Sequence, residues 1–382
     1  MRALLIFIFF IIVADFTFAQ VAINTTNTAP NSSAMLDITS NNKGLLIPRM
    51  TTTQRNAITS PAAGLQVYNT DNNCLEMNNG SGWISICSTG VTFTCINSWK
   101  QKTDFGGLAR QGAVGFSIAG KGYIGTGRTA TYVKDFWEYD SGTNAWTQKA
   151  DFGGTGRYYA VGFSIGSKGY IGTGFDGSGS PYQKDFWEYD PGTNVWTQKA
   201  DMGVTGRATA VGFSIGTKGY IGTGETGTGS LKDFWEYDPG GNAWTQKTNF
   251  GGVERSNASG FSIGSKGYIG IGLLGPVIKD FWEYDPGTNA WTQKADFGGT
   301  PRNRSVAFSI GTKGYIGTGN DNNGNTTTFW QYDPLGNTWM QKANVGVQGK
   351  HSATGFSFGN KGYIGTGYDG LSNTKDFWEY CQ

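Results

Sequence analysis

Lys168-Gly169-Tyr170-Ile171-Gly172, followed by Phe186-Trp187-Glu188-Tyr189-Asp190-Pro191-Gly192-Thr193-Asn194-Val195-Trp196-Thr197-Gln198-Lys199, is the stretch on which the fold turns. Its segments are short and rich in aromatic and β-branched residues, which suits strands. Asp190 to Asn194 is turn chemistry, because proline presets φ and glycine and asparagine tolerate positive φ. The full period reads as four strands: Ala160 to Ile165, Gly169 to Gly172, Asp185 to Tyr189 and Val195 to Lys199. The last two form a hairpin. Lys-Gly-Tyr-Ile-Gly begins at Lys121, Lys168, Lys218, Lys266, Lys313 and Lys361, at intervals of 47, 50, 48, 47 and 48 residues. Phe-Trp-Glu-Tyr recurs from Phe136, Phe186, Phe234, Phe281, Phe329 and Phe377, with Gln331 replacing glutamate once, and a tryptophan recurs at Trp99, Trp146, Trp196, Trp244, Trp291 and Trp339. A period of this length means a propeller or a solenoid, and four antiparallel strands with a tight hairpin favour a propeller blade over a β-helix coil.

Composition agrees. The 382 residues include 61 glycines, 14% are aromatic and only 15% are charged. This describes many tight turns and excludes long helices. A formal charge of +2 gives no bulk field for nucleic acid. Residues 1–19 combine Arg2 with an apolar run from Ala3 to Val13 and small residues at Thr17 and Ala19, so they read as a cleaved export signal. The apolar run is shorter than the roughly 20 residues a bilayer span needs, and no later segment reaches that length. The expected location is periplasmic or extracellular, at the surface of a bacterium, where disulfides are permitted.

Three features together resemble the kelch family: a strand ending in glycines, an Asp-aromatic-Trp-x-Tyr-Asp-Pro strand, and a tryptophan followed about eleven residues later by arginine. The resemblance covers residues 95–382 and implies an all-β, six-bladed kelch-type β-propeller. Gly172-Thr173-Gly174 and Gly270-Ile271-Gly272 depart from the double glycine usual in that family. Recurrent aromatics such as Phe163, Trp187, Tyr189 and Trp196 read as packing between blades.

The last repeat stops at Cys381-Gln382, without its turn and tryptophan strand, whereas Ile96 to Lys102 resembles Thr143 to Lys149. An N-terminal strand is therefore expected to close the last blade. Cys381 takes the place of the aspartate that opens the hairpin and Cys95 falls where the turn would be, so a Cys95–Cys381 disulfide is expected across the seam. Cys74 and Cys87 bracket the turn Asn78 to Gly82 and form the second expected pair; four cysteines allow three connectivities.

The expected organisation is a signal peptide at 1–19, a small β-rich module with a flexible start at 20–90, and the propeller at 91–382. In the module, Ala34 to Ile38, Lys43 to Met50, Gly64 to Asn69 and Gly82 to Ile84 read as short strands and turns. They resemble a module at the start of exported bacterial surface and fibre proteins, which implies a spacer, attachment or oligomerisation role.

Catalytic motifs are scarce, and no catalytic residue, metal site or cofactor is assigned. His351 is the only histidine, which excludes multi-histidine metal sites, and it reads as a surface residue. There is no P-loop, HExxH or Gly-x-Ser-x-Gly motif. Glu138, Glu188, Glu236, Glu283 and Glu379 share one repeat position, while Asp190, Asp238, Asp285 and Asp333 share another, which suits strand-edge and hairpin-capping roles. Asp176, Glu225, Glu254, Asp321 and Asp369 are unrepeated, and Asp321 to Asn325 reads as a turn.

The expected function is binding, with the propeller as a platform for a protein or glycan ligand. The alternative is a carbohydrate-active enzyme, by resemblance to secreted kelch sialic acid isomerases. A cation stands six residues before each first-strand phenylalanine: Arg110, Arg157, Arg207, Arg255, Arg302 and Lys350. This ring is expected at one channel mouth, on the face that also carries the variable connections between second and third strands. Tyr158, Tyr159, Phe175, Tyr182, Leu273, Leu274 and Tyr368 would add contact area there.

Overall fold

The computed structural model describes residues 21–24, 28–30, 33–86, 97–203 and 205–382. The expected leader at 1–19, Cys87 and Cys95 lie outside the described residues. The chain falls into two compact units, divided between Phe93 and Thr94.

The C-terminal unit is all-β. Its second repeat places Val161–Ile165, Lys168–Gly172, Phe186–Asp190 and Val195–Lys199 side by side as one antiparallel sheet, within a residue of the bounds expected from sequence. In the first strand only Val161, Phe163 and Ile165 are buried, whereas Gly169 to Gly172 in the second are buried throughout. The second strand is central in its sheet and covered on both faces, and so its sequence does not alternate. The fourth strand exposes all but Trp196 and Lys199, which marks it as the outer edge.

Six such sheets form a ring. The innermost strands, Val114–Ile118, Val161–Ile165, Val211–Ile215, Ser259–Ile263, Val306–Ile310 and Thr354–Phe358, each contact the next, and the last contacts the first. The sixth sheet takes its outer strand, Ser98–Gln101, from the start of the unit, pairing Tyr380 with Trp99. Asn97 Oδ1 there accepts from Ala343 N–H at 2.9 Å and from Tyr380 Oη–H at 3.1 Å, as Asn194 does from Ala150 and Tyr189 in the second sheet. The borrowed strand thus reproduces the internal joints.

Between sheets lie aromatic wedges. Trp196 meets Phe136 of the preceding sheet edge-on at 5.1 Å and Phe152 at 5.2 Å, and Tyr189 meets Phe136 at 4.9 Å. Each such buried ring contributes roughly 1.5–3 kcal/mol by leaving water. The glycine of Lys-Gly-Tyr follows from this closeness: a Cβ on Gly219 would stand 2.5 Å from the Phe163 ring.

In the N-terminal unit Val21–Ile23 pairs in parallel with Leu36–Ile38. A four-stranded sheet follows in the order Arg49–Met50, Gln66–Asn69, Cys74–Asn78 and Trp83–Ser85. A short helix, Thr52–Asn56, was not expected; Thr51 and Gln54 form its capping box. Buried Glu76 accepts from Arg55 at 2.5 Å and from Asn69 and Asn72. Burial alone would raise its pKa, but the hydrogen bonds from Asn72, Arg55 and Asn69 outweigh it and hold the carboxyl below its ordinary range. Val21, Ile23, Met35, Leu36, Leu45 and Leu46 are each at least half exposed. No helix among the described residues is long and apolar enough to cross a membrane. Cys74 and Cys381 are buried and neither is a free thiol.

Candidate functional site

The six expected cations do share one end of the ring, but they point into the sheets. Arg110, Arg157, Arg207, Arg255, Arg302 and Lys350 are at most 3% exposed. Each stands before its sheet's first strand, and because the first and third strands run in the same direction on either side of the second, it meets the residue before the third strand across the second strand's end. Arg110 donates to both oxygens of Asp135 at 2.6 Å, Arg207 to Asp233 at 2.6 Å and Arg255 to Asp280 at 2.7 Å. Arg157 pairs likewise with Asp185, and Lys350 donates to Asp376 at 2.5 Å. The first four arginines also donate to the carbonyl of Thr126, Thr173, Thr223 or Ile271. These cations are clamps within a blade rather than a charged channel mouth, which corrects the expectation from sequence.

The mouth itself is built two residues later, by Gly112, Tyr159, Thr209, Asn257, Arg304 and Ser352. All six have φ between 51° and 60°, the left-handed region. That turn aims each N–H at the preceding blade: Tyr159 donates to Gly112 O, Thr209 to Tyr159 O, Asn257 to Thr209 O, Arg304 to Asn257 O, Ser352 to Arg304 O, and Gly112 to Ser352 O, at 2.8–3.2 Å. A belt of backbone hydrogen bonds closes around the axis. Inside it is a recess of about 110 Å³, and below that the channel is walled by small residues such as Ala113, Gly115, Ala160 and Gly162.

The repeated scaffold stops at this belt, because its six side chains all differ. Arg304 is the charged member and is exposed, while Thr209, Asn257 and Ser352 are nearly buried. Tyr159 lies over Gly112, where a Cβ would come within 3.0 Å of its ring, and its hydroxyl reaches Ser352 Oγ at 2.7 Å. Ser352 Oγ is also 2.8 Å from His351 Nδ1. His351 is therefore not a free surface residue: burial, with a smaller contribution from Arg304, pushes its pKa down to about 4. Burial raises the pKa of Glu225, against the opposing effects of Ser256 and Arg304.

Beside the mouth the structure gathers Tyr158, Tyr159, Phe175 and Tyr182 with Tyr132. Tyr158 is 4.3 Å from Tyr159, 5.5 Å from Tyr132 and 5.8 Å from Phe175, and Phe175 is 5.2 Å from Tyr182. Arg128 caps the group, 5.9 Å from the rings of Tyr132 and Tyr158. Tyr368 stands apart, against His351 at 5.4 Å. Leu273 ends the long strand Lys266–Leu273, which continues through Leu274 into a hairpin with Val277–Asp285. Asp321 to Asn325 turns between the short strands Asn320–Asp321 and Gly324–Asn325. The repeated aspartates cap their hairpins, as Asp190 does by accepting from Gly192 N–H at 2.9 Å.

Arg304, Asn257, Thr209, Ser352 and the clamp aspartates were missed from sequence. For the belt the signal was present, since the position two beyond each cation reads Gly, Tyr, Thr, Asn, Arg, Ser while the residue after it is alanine in every repeat but the fifth, where it is Ser305.

A ring of four-stranded sheets with an individual rim at one mouth is the anatomy of a propeller. The solved structure titled "Structure of YjhT" is similar to this chain, with a TM-score of 0.64 and 16% identity over 72% of this chain and 95% of that one. At that identity the likeness bears on the fold, and it supports a propeller. A family model described as a phage tail like trimerisation region matches residues 22–99. No curated protein matches the chain.

Proposed function

We propose that this is an exported binding protein in which a six-bladed kelch-type propeller presents a ligand site at the Tyr159–Arg304 mouth and the N-terminal unit assembles three copies. The observation that carries the site is the concentration of unrepeated polar and aromatic side chains on one mouth of an otherwise repetitive ring. A recess of about 110 Å³ is below the roughly 300 Å³ of an enclosing small-molecule pocket. The ligand would insert one polar group toward Arg304 and Asn257 and lie across the Tyr158–Tyr182 aromatics. Weak pairwise contacts gain from a trimer, since linked sites raise avidity without any new contact. The trimerisation-region match and the exposed apolar residues of the N-terminal unit support that assembly. The second reading, a carbohydrate-active enzyme, is favoured by the raised carboxyl of Glu225 near Arg304.

A glycan array probed with the full exported chain tests the proposal, alongside light scattering. Binding is expected to fall at least tenfold in Arg304→Ala and Tyr158→Ala and to survive Thr193→Arg on the opposite hairpins. The particle mass is expected at three times that of the chain. Ligand binding unaffected by the mouth variants would refute the site, and a monomeric particle would refute the assembly. Turnover of a bound glycan that stops in Glu225→Gln would establish the enzymatic reading.

A further inference from the structure

The fifth blade breaks the clamp. In the four other arginine blades one carboxylate oxygen, Oδ2 of Asp135, Asp185, Asp233 or Asp280, accepts from the arginine Nη2 at 2.6–2.9 Å and from the indole N–H of the tryptophan two residues on at 2.8 Å. In the fifth blade that aspartate is Thr328. Its hydroxyl replaces only the other oxygen, accepting from Arg302 Nη1 at 2.8 Å. Trp330 Nε1 is left buried with no acceptor among the described residues. One of the two Nη2 hydrogens of Arg302 goes to Thr300 Oγ1 at 2.9 Å. A Cβ on Gly299 would stand 2.9 Å from both Arg302 Nη2 and Trp330 Nε1, so both nitrogens border the same small space.

We propose that this space binds a monovalent inorganic anion, chloride in a saline medium, which takes the place of the missing carboxylate oxygen between Arg302 Nη2 and Trp330 Nε1. Both groups are donors only, so whatever joins them must accept twice. Arg302 is 1% exposed, and a buried charge is costly unless it is paired. Burial pulls its pKa down to about 10, Asp321 opposing. Asp321 accepts from the Thr300 hydroxyl at 2.6 Å and reaches the guanidinium only through it. The second blade has the same relay, with Asp176 accepting from Thr155 at 2.8 Å, yet retains its direct partner Asp185. In the second blade the relay accompanies a direct counter-ion, and in the fifth it stands without one. Phe297 lies under the guanidinium at 5.0 Å, leaving the Trp330 side as the polar approach.

The test uses the full chain in bromide. Crystals grown in sodium bromide should show an anomalous peak bonded to Arg302 Nη2 and Trp330 Nε1. At constant ionic strength, with gluconate as the replaced anion, the thermal midpoint should rise roughly 2–4 °C per tenfold increase in halide above saturation. Thr328→Asp restores the carboxylate and should show neither the peak nor the halide dependence, and in gluconate its midpoint should lie above that of the parent. No peak at Trp330 overturns the proposal, since a water would then bridge the donors. A peak without any halide dependence marks an adventitious ion only and also overturns it, as does a Thr328→Asp variant that responds to halide like the parent.

Discussion

Replacing Arg255 with alanine should destabilise the propeller by about 2–4 kcal/mol. The side chain is fully buried, donates twice to Asp280 and once each to Ile271 O and Val253 O, and lies 4.6 Å from the Phe250 ring. Removing one member of a buried pair typically costs about 3–5 kcal/mol, mostly because the other charge is stranded. Asp280 is 25% exposed, so water relieves part of that cost and the lower figure applies. At roughly 2 °C per kcal/mol for a domain of this size, the midpoint should fall by about 4–8 °C. Circular dichroism melts at pH 7 measure this, and Arg255→Ala/Asp280→Ala should recover part of the loss, because no carboxylate is left stranded. Arg302→Ala should cost less than Arg255→Ala in gluconate, since Arg302 has no direct carboxylate partner. A midpoint for Arg255→Ala within about 1 °C of the parent, together with weakened ligand binding, would refute the clamp and return the cation to the mouth.

Gly219→Ala forces a methyl to 2.5 Å from the Phe163 ring and should cost about 1–3 kcal/mol, measured by denaturant titration. His351 titrates at about 4 in the folded chain against about 6.5 unfolded. The unfolded chain therefore takes up the proton first, and stability that is complete above pH 6.5 declines as pH falls toward 4. His351→Gln should flatten the midpoint between pH 7 and pH 5. Below that window, Asp135, Asp233 and Asp280 take over: burial raises their pKa values, but their arginines lower them more, so their contribution is full above about pH 4 and is lost as pH falls further. Peptide mapping of unreduced protein should recover Cys74 with Cys87 and Cys95 with Cys381; free thiols at Cys95 and Cys381 would remove the covalent seam.

The strands were legible because each repeat carries its own turn chemistry, and six copies averaged out local ambiguity. Thr126, Thr173, Thr223, Ile271, Thr318 and Thr366 show the limit of that reading. They stand at φ of 52–60° where glycine would be at ease, and composition gives no warning of it. The cations were identified as a ring, but which way five of them face depends on a carboxylate twenty-five or more residues away, as with Arg110 and Asp135. Repetition itself misled there, since a charge that recurs in every blade belongs to the scaffold. The helix at Thr52–Asn56 was missed although Thr51 and Gln54 spell its capping box, because five residues are too few to show a helical period.

The seam between Ser98–Gln101 and Phe377–Cys381 sets an order on biosynthesis. Trp99 leaves the ribosome 281 residues before its partner Tyr380, an interval of roughly 14–56 s at 5–20 residues per second. Throughout that interval the first strand has no sheet to join. Once the other strands of the last blade have folded, its open edge can accept the equivalent strand from any nearby chain, its own or another's. Three chains gathered by their N-terminal units would raise the local concentration of foreign strands at just that moment. The arrangement that leaves the finished ring without a loose end therefore makes strand exchange between protomers the error its assembly must avoid.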